Sequence, residues 1–468
     1  MAGAAVIKVF FFLQGQSEDI VQDVLQRPEH YLEKINIVIV TIISAALYLL
    51  GIVIFKKTGN IFSSLFLQLT PLCSATIYFD LINISPEIFL ILTSLILITV
   101  LFKYTVESES SAPSNFKYSI IFGLICGFGL ATKISFFPVL IIPLIILKSI
   151  RSKVYFLLSS ITAFILFVSP VISFEQIIKF TAWINSIMIH TGLYGQGTED
   201  IVNASSFAGN IKKIFLNEPV FTLAYILALV TLLLSLLPKT IIKKERSINY
   251  NFLSGIFIAM NIQLIIVAKH FTFRYMLPAL MFSIPAIYLI YKLTEDLIPE
   301  YIKKKKAIII PILFLIFTFY SAKHYKSTTS ALYYKQTESH KVEDYIDNNY
   351  KHSIVIGTNL SSYMEAAYYQ AARYSGTQRE KYFEEIQTMF PGRYCFNIWY
   401  KDIELTDDKI FESELNKAGK FVFYCKTENE LNDFVKYLKE ESNIKDAKYR
   451  EVYSNGRDET IYEFDLVN

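Results

Sequence analysis

Apolar runs long enough to cross a lipid bilayer recur from about residue 36 to residue 320, and nothing else in the chain constrains its fold as strongly. The hydrocarbon core takes about 20 helical residues to cross. Backbone groups inside it must be satisfied within the protein, which leaves helices or closed barrels. About ten windows read as helices: 36–55, 61–79, 86–103, 118–132, 136–147, 154–174, 219–237, 252–268, 275–292 and 307–320. The fourth and fifth are short and closely spaced, and could form a hairpin of half-crossing helices. With 53% hydrophobic and only 19% charged residues, the chain is too apolar for ordinary soluble or disordered material. Its net charge of +3, from 45 basic and 42 acidic residues, gives no reason to expect nucleic acid as a partner.

The distribution of charge carries more information than its sum. Lys56 and Lys57, then Lys103 and Lys117, then Lys148, Arg151 and Lys153, then Lys239, Lys243, Lys244 and Arg246, then Lys303 to Lys306 mark every second connection. Positive loops stay in the cytoplasm. The expected architecture is therefore a polytopic α-helical membrane bundle of about ten spans in the cytoplasmic (inner) membrane, with a C-terminal extracytoplasmic α/β domain. Residues 1–35 form an outer N-terminal segment, 36–322 the bundle with a long outer loop at 175–218, and 323–468 the terminal domain. Inside loops are short connectors, so function is sought on the outer face. In the terminal region, runs at 353–356, 396–399 and 421–424 read as strands, and 361–373 and 428–439 as helices. Such a domain could simply cover the outer face of the bundle. Its two cysteines, Cys395 and Cys425, could pair in an oxidising compartment or remain buried thiols. With Cys73 and Cys126 they lack the close spacing of a metal site.

Several polar residues fall at the outer face. Asp80 and Glu87 flank Pro86 where a helix begins; either acid could act as a base or hold a cation, although Glu87 could equally complement its helix dipole. Glycines 123 and 127 allow close helix packing in a span ending at Lys133, a cation on the side the charge rule disfavours. It suits a lipid phosphate, or it could snorkel to headgroups. Lys269, His270 and Arg274 crowd a tight outer turn. Arg274 offers bidentate donors to phosphate that Lys269 and His270 could help neutralise, and the alternative is pairing with outer-loop acids. His190 and Tyr194 precede and enter a run with Gly192, Gly195 and Gly197, and could contact a sugar or diphosphate. The run lacks the strand and helix context of a dinucleotide fingerprint, and could instead be a turn after an amphipathic interfacial helix.

Three features together carry a resemblance: the order of spans, the string Gly-Leu-x-x-Gly-x-Gly-Leu-Ala-Thr-Lys ending at Lys133, and Lys-His-x-x-x-Arg-Tyr-Met-Leu-Pro at 269–278. Over roughly 28–320 the chain resembles GT-C membrane glycosyltransferases, nearest the protein O-mannosyltransferase and aminoarabinose transferase group. The resemblance implies transfer of a sugar from a polyprenyl-phosphate carrier, with inversion, to a glycan, lipid or protein acceptor in the cell envelope. It places Lys133 and Arg274 at the carrier phosphate, with Lys269 and His270 close by. Members carry a catalytic carboxylate in a first outer loop after one further span. Here the early acids are Glu18, Asp19, Asp23, Glu29 and Glu33, none in the expected motif, so the chain reads as N-terminally shortened with Asp19, Asp80 and Glu87 as candidate catalytic acids. A divalent cation on Asp80 or Glu87 is conceivable, but two acids seven positions apart are weak grounds for one. Competing readings are a transporter or flippase of a lipid-linked glycan, and a non-catalytic glycan-binding scaffold. Mid-span charges, which a transporter would need, are scarce.

Overall fold

The protein is described from a computed structural model over residues 2–13, 19–82, 85, 87–110, 115–169, 182, 184–186, 188–191, 201–235, 248–295, 308–373, 375, 378–404, 408–440, 444 and 447–466. It divides into two compact units, Met1–Gly15 with Pro28–Thr328, and Gln16–Arg27 with Thr329–Asn468.

The first unit is helical. After α1 (Ala2–Leu13), and with α2 (Ile20–Gln26) belonging to the other unit, α3 runs over Pro28–Thr58. Proline opens α3, where its missing N–H costs nothing, and Gly59 at φ 61° follows its end, the left-handed position at which glycine commonly stops a helix. The apolar window at 61–79 is not one continuous helix. It breaks into α4 (Ile61–Gln68), a 3₁₀ turn (Thr70–Leu72) containing Pro71, and α5 (Ala75–Ile82), because proline cannot donate into a continuing helix. Then come α6 (Glu87–Ser110) and α7 (Asn115–Thr132), and a 3₁₀ turn (Ile134–Leu140) leads into α8 (Ile141–Ile146). The window at 118–132 thus belongs to an 18-residue helix, whereas that at 136–147 falls on a shorter helical stretch, Ile134–Ile146, whose first half is the 3₁₀ turn with Pro138.

The unit continues with α9 (Ile150–Val168), α10 (Ala204–Asn217), α11 (Pro219–Leu234) and α12 (Ile248–Lys269). A 3₁₀ turn (Phe273–Met276) precedes α13 (Leu277–Met281) and α14 (Ser283–Glu295), and α15 (Ile309–Tyr350) passes from this unit into the second. Among the described residues six helices are long and apolar enough to cross a membrane, or seven if α10 and α11, bent by 104° at Glu218, make one span. One apolar core holds the bundle together. On α9, Leu157, Leu158, Ile161, Ile165 and Leu166 remain exposed, the side chains that lipid would cover.

The second unit is built on a six-stranded sheet of order β3-β2-β1-β4-β6-β5, from β1 (Ile354–Thr358), β2 (Arg393–Asn397), β3 (Asp402–Ile403), β4 (Lys420–Cys425), β5 (Ala447–Ser454) and β6 (Thr460–Leu466). The three central strands are parallel and the outer pairings antiparallel. Helices α16 (Met364–Arg373) and α17 (Arg379–Met389) pack on one face with the end of α15. On the other face lie α18 (Asp408–Ala418) and α19 (Glu428–Glu440), where Phe423 stacks on Phe434 at 4.0 Å between ring centroids. The expected strands and helices of the terminal region are present within a few residues, joined by β3, β5, β6, α17 and α18. Cys395 and Cys425 are free thiols, and they belong to the cores on opposite faces of the sheet, with β1 between their strands. Strands two apart lie about 9.5 Å from each other, beyond the reach of a disulfide.

Candidate functional site

The site grows out of two local chain reversals in the first unit. At the first, α7 ends at Thr132 and Lys133 adopts extended backbone, φ −163° and ψ 134°. The turn is closed by Lys133 N–H donating to the Gly129 carbonyl at 3.0 Å and Phe136 N–H donating to the Lys133 carbonyl at 3.0 Å. Gly129 is required here: a Cβ would lie 2.4 Å from the Phe136 ring. Farther back on α7, a Cβ at Gly127 would lie 2.4 Å from the Ser160 carbonyl of α9, and one at Gly123 would be 2.7 Å from the Phe156 carbonyl. The small-residue stripe therefore seats α7 on α9, and that packing fixes where Lys133 emerges.

The second reversal lies between α12 and α13. Gln263, fully buried, donates from Nε2 to the Tyr275 carbonyl at 2.6 Å, which pins the 3₁₀ turn bearing Arg274. Helices α5 and α6 pack against this region. The arrangement brings together four of the residues expected from the sequence. Glu87, buried in the first turn of α6, accepts a hydrogen bond from Lys133 Nζ, and Arg274 Nε lies 3.8 Å from the same oxygen. Lys133 Nζ also sits 4.7 Å from the Tyr275 ring centroid, with the Arg274 guanidinium carbon at 5.9 Å, so the aromatic face adds to the attraction for both cations.

Asp80, on α5, completes the group. It is buried, and among the described residues nothing hydrogen-bonds its Oδ2. Its pKa is pushed up to about 6 by burial first and by the negative charge of Glu87 second, against the opposing pull of Lys133 and Arg274. A buried carboxylate with an unused oxygen and a raised proton affinity is chemically suited to taking a proton.

Most of the remaining candidates have other described contacts. Lys269 Nζ donates to the Met188 carbonyl at 2.6 Å, tying the end of α12 to the segment that carries His190. The His190 Nδ1 is buried and lacks a hydrogen-bond partner among the described residues. His270 is buried at the close of α12, its N–H donating to Ile266 at 3.1 Å. Tyr194 lies outside the described residues. Asp19 is exposed in the second unit, where its Oδ1 caps α2 by accepting from Val21 N–H at 2.8 Å. Among the described residues no group of three or more His, Cys, Asp or Glu side chains could hold a metal ion.

Two contributors went unassigned in the sequence. Tyr275 belongs to the Lys-His-x-x-x-Arg-Tyr-Met-Leu-Pro string but has no role assigned there. Glu218 is buried at the bend between α10 and α11, and its Oε1 accepts from the Thr76 hydroxyl at 2.6 Å and from Thr76 N–H at 3.3 Å. The signal for Glu218 was an acid directly before Pro219, flush with the outer end of an apolar run.

Residues 21–174 match the profile of the dolichyl-phosphate-mannose-protein mannosyltransferase family. The matched stretch includes Asp80, Glu87 and Lys133, and leaves out Asp19, His190, Tyr194, Lys269, His270 and Arg274. No curated protein and no solved structure matched. The profile match and the apolar helices together suggest an integral membrane glycosyltransferase of the GT-C type.

Proposed function

We propose that the protein transfers a sugar from a polyprenyl-phosphate carrier to an acceptor hydroxyl at the outer face of the cytoplasmic membrane. The observation that carries this reading is the convergence of Lys133, Arg274 and Glu87 beside the buried Asp80. Lys133 and Arg274 are two fixed positive charges on one side of Glu87, placed to meet the negative charge of a sugar–phospholipid diester. Lys133 and Arg274 bind the phosphate, and Glu87 holds both in place before the donor arrives.

In the reaction the acceptor oxygen bonds to the anomeric carbon as the bond from that carbon to the phosphate oxygen breaks. The acceptor proton passes to Asp80, and the electron pair of the broken bond leaves with the lipid phosphate. The departing phosphate gains a negative charge as Asp80 loses one, so the fixed cations stabilise the transition state more than the bound donor, which is what lowers the barrier. His190, Tyr194, Lys269 and His270 are assigned to the sugar and the outer side of the phosphate. The acceptor is a glycan, lipid or protein of the cell envelope, and the terminal unit lies on the outer side.

The experiment is transfer from radiolabelled polyprenyl-phosphate sugars in membranes containing the full chain. Replacing Arg274 by Ala removes a fixed donor to the leaving group and should lower transfer by about 10²–10³-fold. Unchanged transfer by the Arg274→Ala protein would remove Arg274 from the site.

A further inference from the structure

We infer that Glu218 is a positioning residue for Asp80, acting through Thr76; this rests on the assignment of Asp80 proposed above. Helix α5 has eight residues, and isolated helices of that length are not stable in water, so its placement depends on what holds its ends. At its start, Ser74 Oγ accepts from Ile77 N–H at 3.2 Å. Glu218 reaches the same end from the bend between α10 and α11 and accepts from both the backbone N–H and the hydroxyl of Thr76. An acceptor there satisfies donors that the helix itself leaves open, and a negative charge complements the helix dipole.

Thr76 and Asp80 are four residues apart, one turn along the same face of α5. The contact that fixes Thr76 therefore fixes the rotation and height of the helix at Asp80. Glu218 is itself held, its N–H donating to the Ile214 carbonyl at 3.1 Å and its own carbonyl accepting from Thr222 N–H at 3.0 Å. The 104° bend is thus the device that points this carboxylate across to α5. The charges that act most on Asp80 are those of Glu87, Lys133 and Arg274. The influence of Glu218 is mechanical and runs through the helix.

Two measurements on the full chain in lipid nanodiscs test this. The first is hydrogen exchange of the amides of residues 75–82. Glu218→Ala and Thr76→Val should each speed that exchange by about tenfold, from loss of a part-buried hydrogen bond to a carboxylate. Glu218→Gln, which keeps an accepting oxygen, should stay within about threefold of the parent. Unchanged exchange in both Glu218→Ala and Thr76→Val would overturn the inference.

The second is transfer from radiolabelled dolichyl-phosphate mannose, with kcat and KM separated. Glu218→Ala should lower kcat by about tenfold or more while the donor KM stays within about twofold. Adding Thr76→Val to Glu218→Ala should slow transfer no further, because Glu218→Ala already removes the Thr76 contact together with the Ser74 contact beside it. Faster exchange without loss of kcat would reduce Glu218 to a structural role and overturn the inference. Equal loss of kcat in Glu218→Gln and Glu218→Ala would overturn it in favour of a role for the charge itself. The proposed site is tested separately by Asp80→Asn: full transfer there would refute Asp80 as the base, whatever α5 exchange shows.

Discussion

Asp80 and Glu87 lie in the same environment, yet their neighbours divide their labour. Glu87 is paired with Lys133 and Arg274, whereas Asp80 is buried with an oxygen to spare. If Asp80 is the base, transfer must require its ionised form, so activity should rise with pH through an acid limb centred near its pKa of about 6. A pH–rate profile checks this, and an acid limb that stays unchanged in an Asp80→Glu protein would count against it. For stability the sign is opposite. The folded protein holds this proton more tightly than the unfolded chain, so the group's contribution is full below the ordinary carboxylate value of 3.8 and is lost as pH rises through about 6. Asp80→Asn should lower transfer by about 10²–10⁴-fold, the usual worth of a general base, while sparing donor binding. Sequence alone located Asp80, Glu87, Lys133 and Arg274 at one surface because each interrupts or ends an apolar run. It could not rank the two acids, because which of them meets the cations depends on how the reversals at Lys133 and Arg274 are seated.

Packing of α7 against α9 is the element on which the Lys133 reversal depends. A methyl group at Gly127 would enter the backbone of α9, so Gly127→Ala should destabilise the bundle by about 1–3 kcal/mol, read as a lower midpoint of thermal unfolding in detergent. Gly209 on α10 has open space around it. Gly209→Ala should leave that midpoint equal or higher, since alanine is the better helix former. Among the strands, β1 and β4 were legible as apolar runs because parallel strands covered on both faces are apolar throughout. By contrast β5 is largely exposed, so its sequence of charged and aromatic residues carried no such mark. The break in the window at 61–79 was hidden for a related reason: Thr70 and Pro71 are buried among apolar neighbours, and hydropathy alone does not register a missing backbone N–H.

At the scale of the whole molecule, the alternation of basic loops sets an expected sidedness that labelling can test. A single cysteine introduced at Lys148 should react with membrane-permeant reagents only, and one at Ile201 also with impermeant reagents applied from outside. Both parent residues are exposed. The four native cysteines are buried and should stay unlabelled without denaturant. Burial also pushes the thiols of Cys395 and Cys425 well above their ordinary pKa, which suppresses the reactive thiolate. Long apolar windows made the membrane bundle legible, and the switch to short apolar runs among charges marked the terminal unit. The helix that links them was not legible as one piece. Its apolar start and polar remainder read as a span followed by a loop, yet no glycine or proline interrupts Ile309–Tyr350 after Pro311, and it forms a single helix of 42 residues.

The central claim is that a phosphate-binding pair of cations and a buried base make this outer face a transferase. The most direct measurement is transfer of label from polyprenyl-phosphate sugars by the parent chain beside its Asp80→Asn and Arg274→Ala forms, at equal amounts of folded protein. The parent should transfer label, and each variant should lose about 10²-fold or more. Transfer that survives both substitutions would contradict the claim.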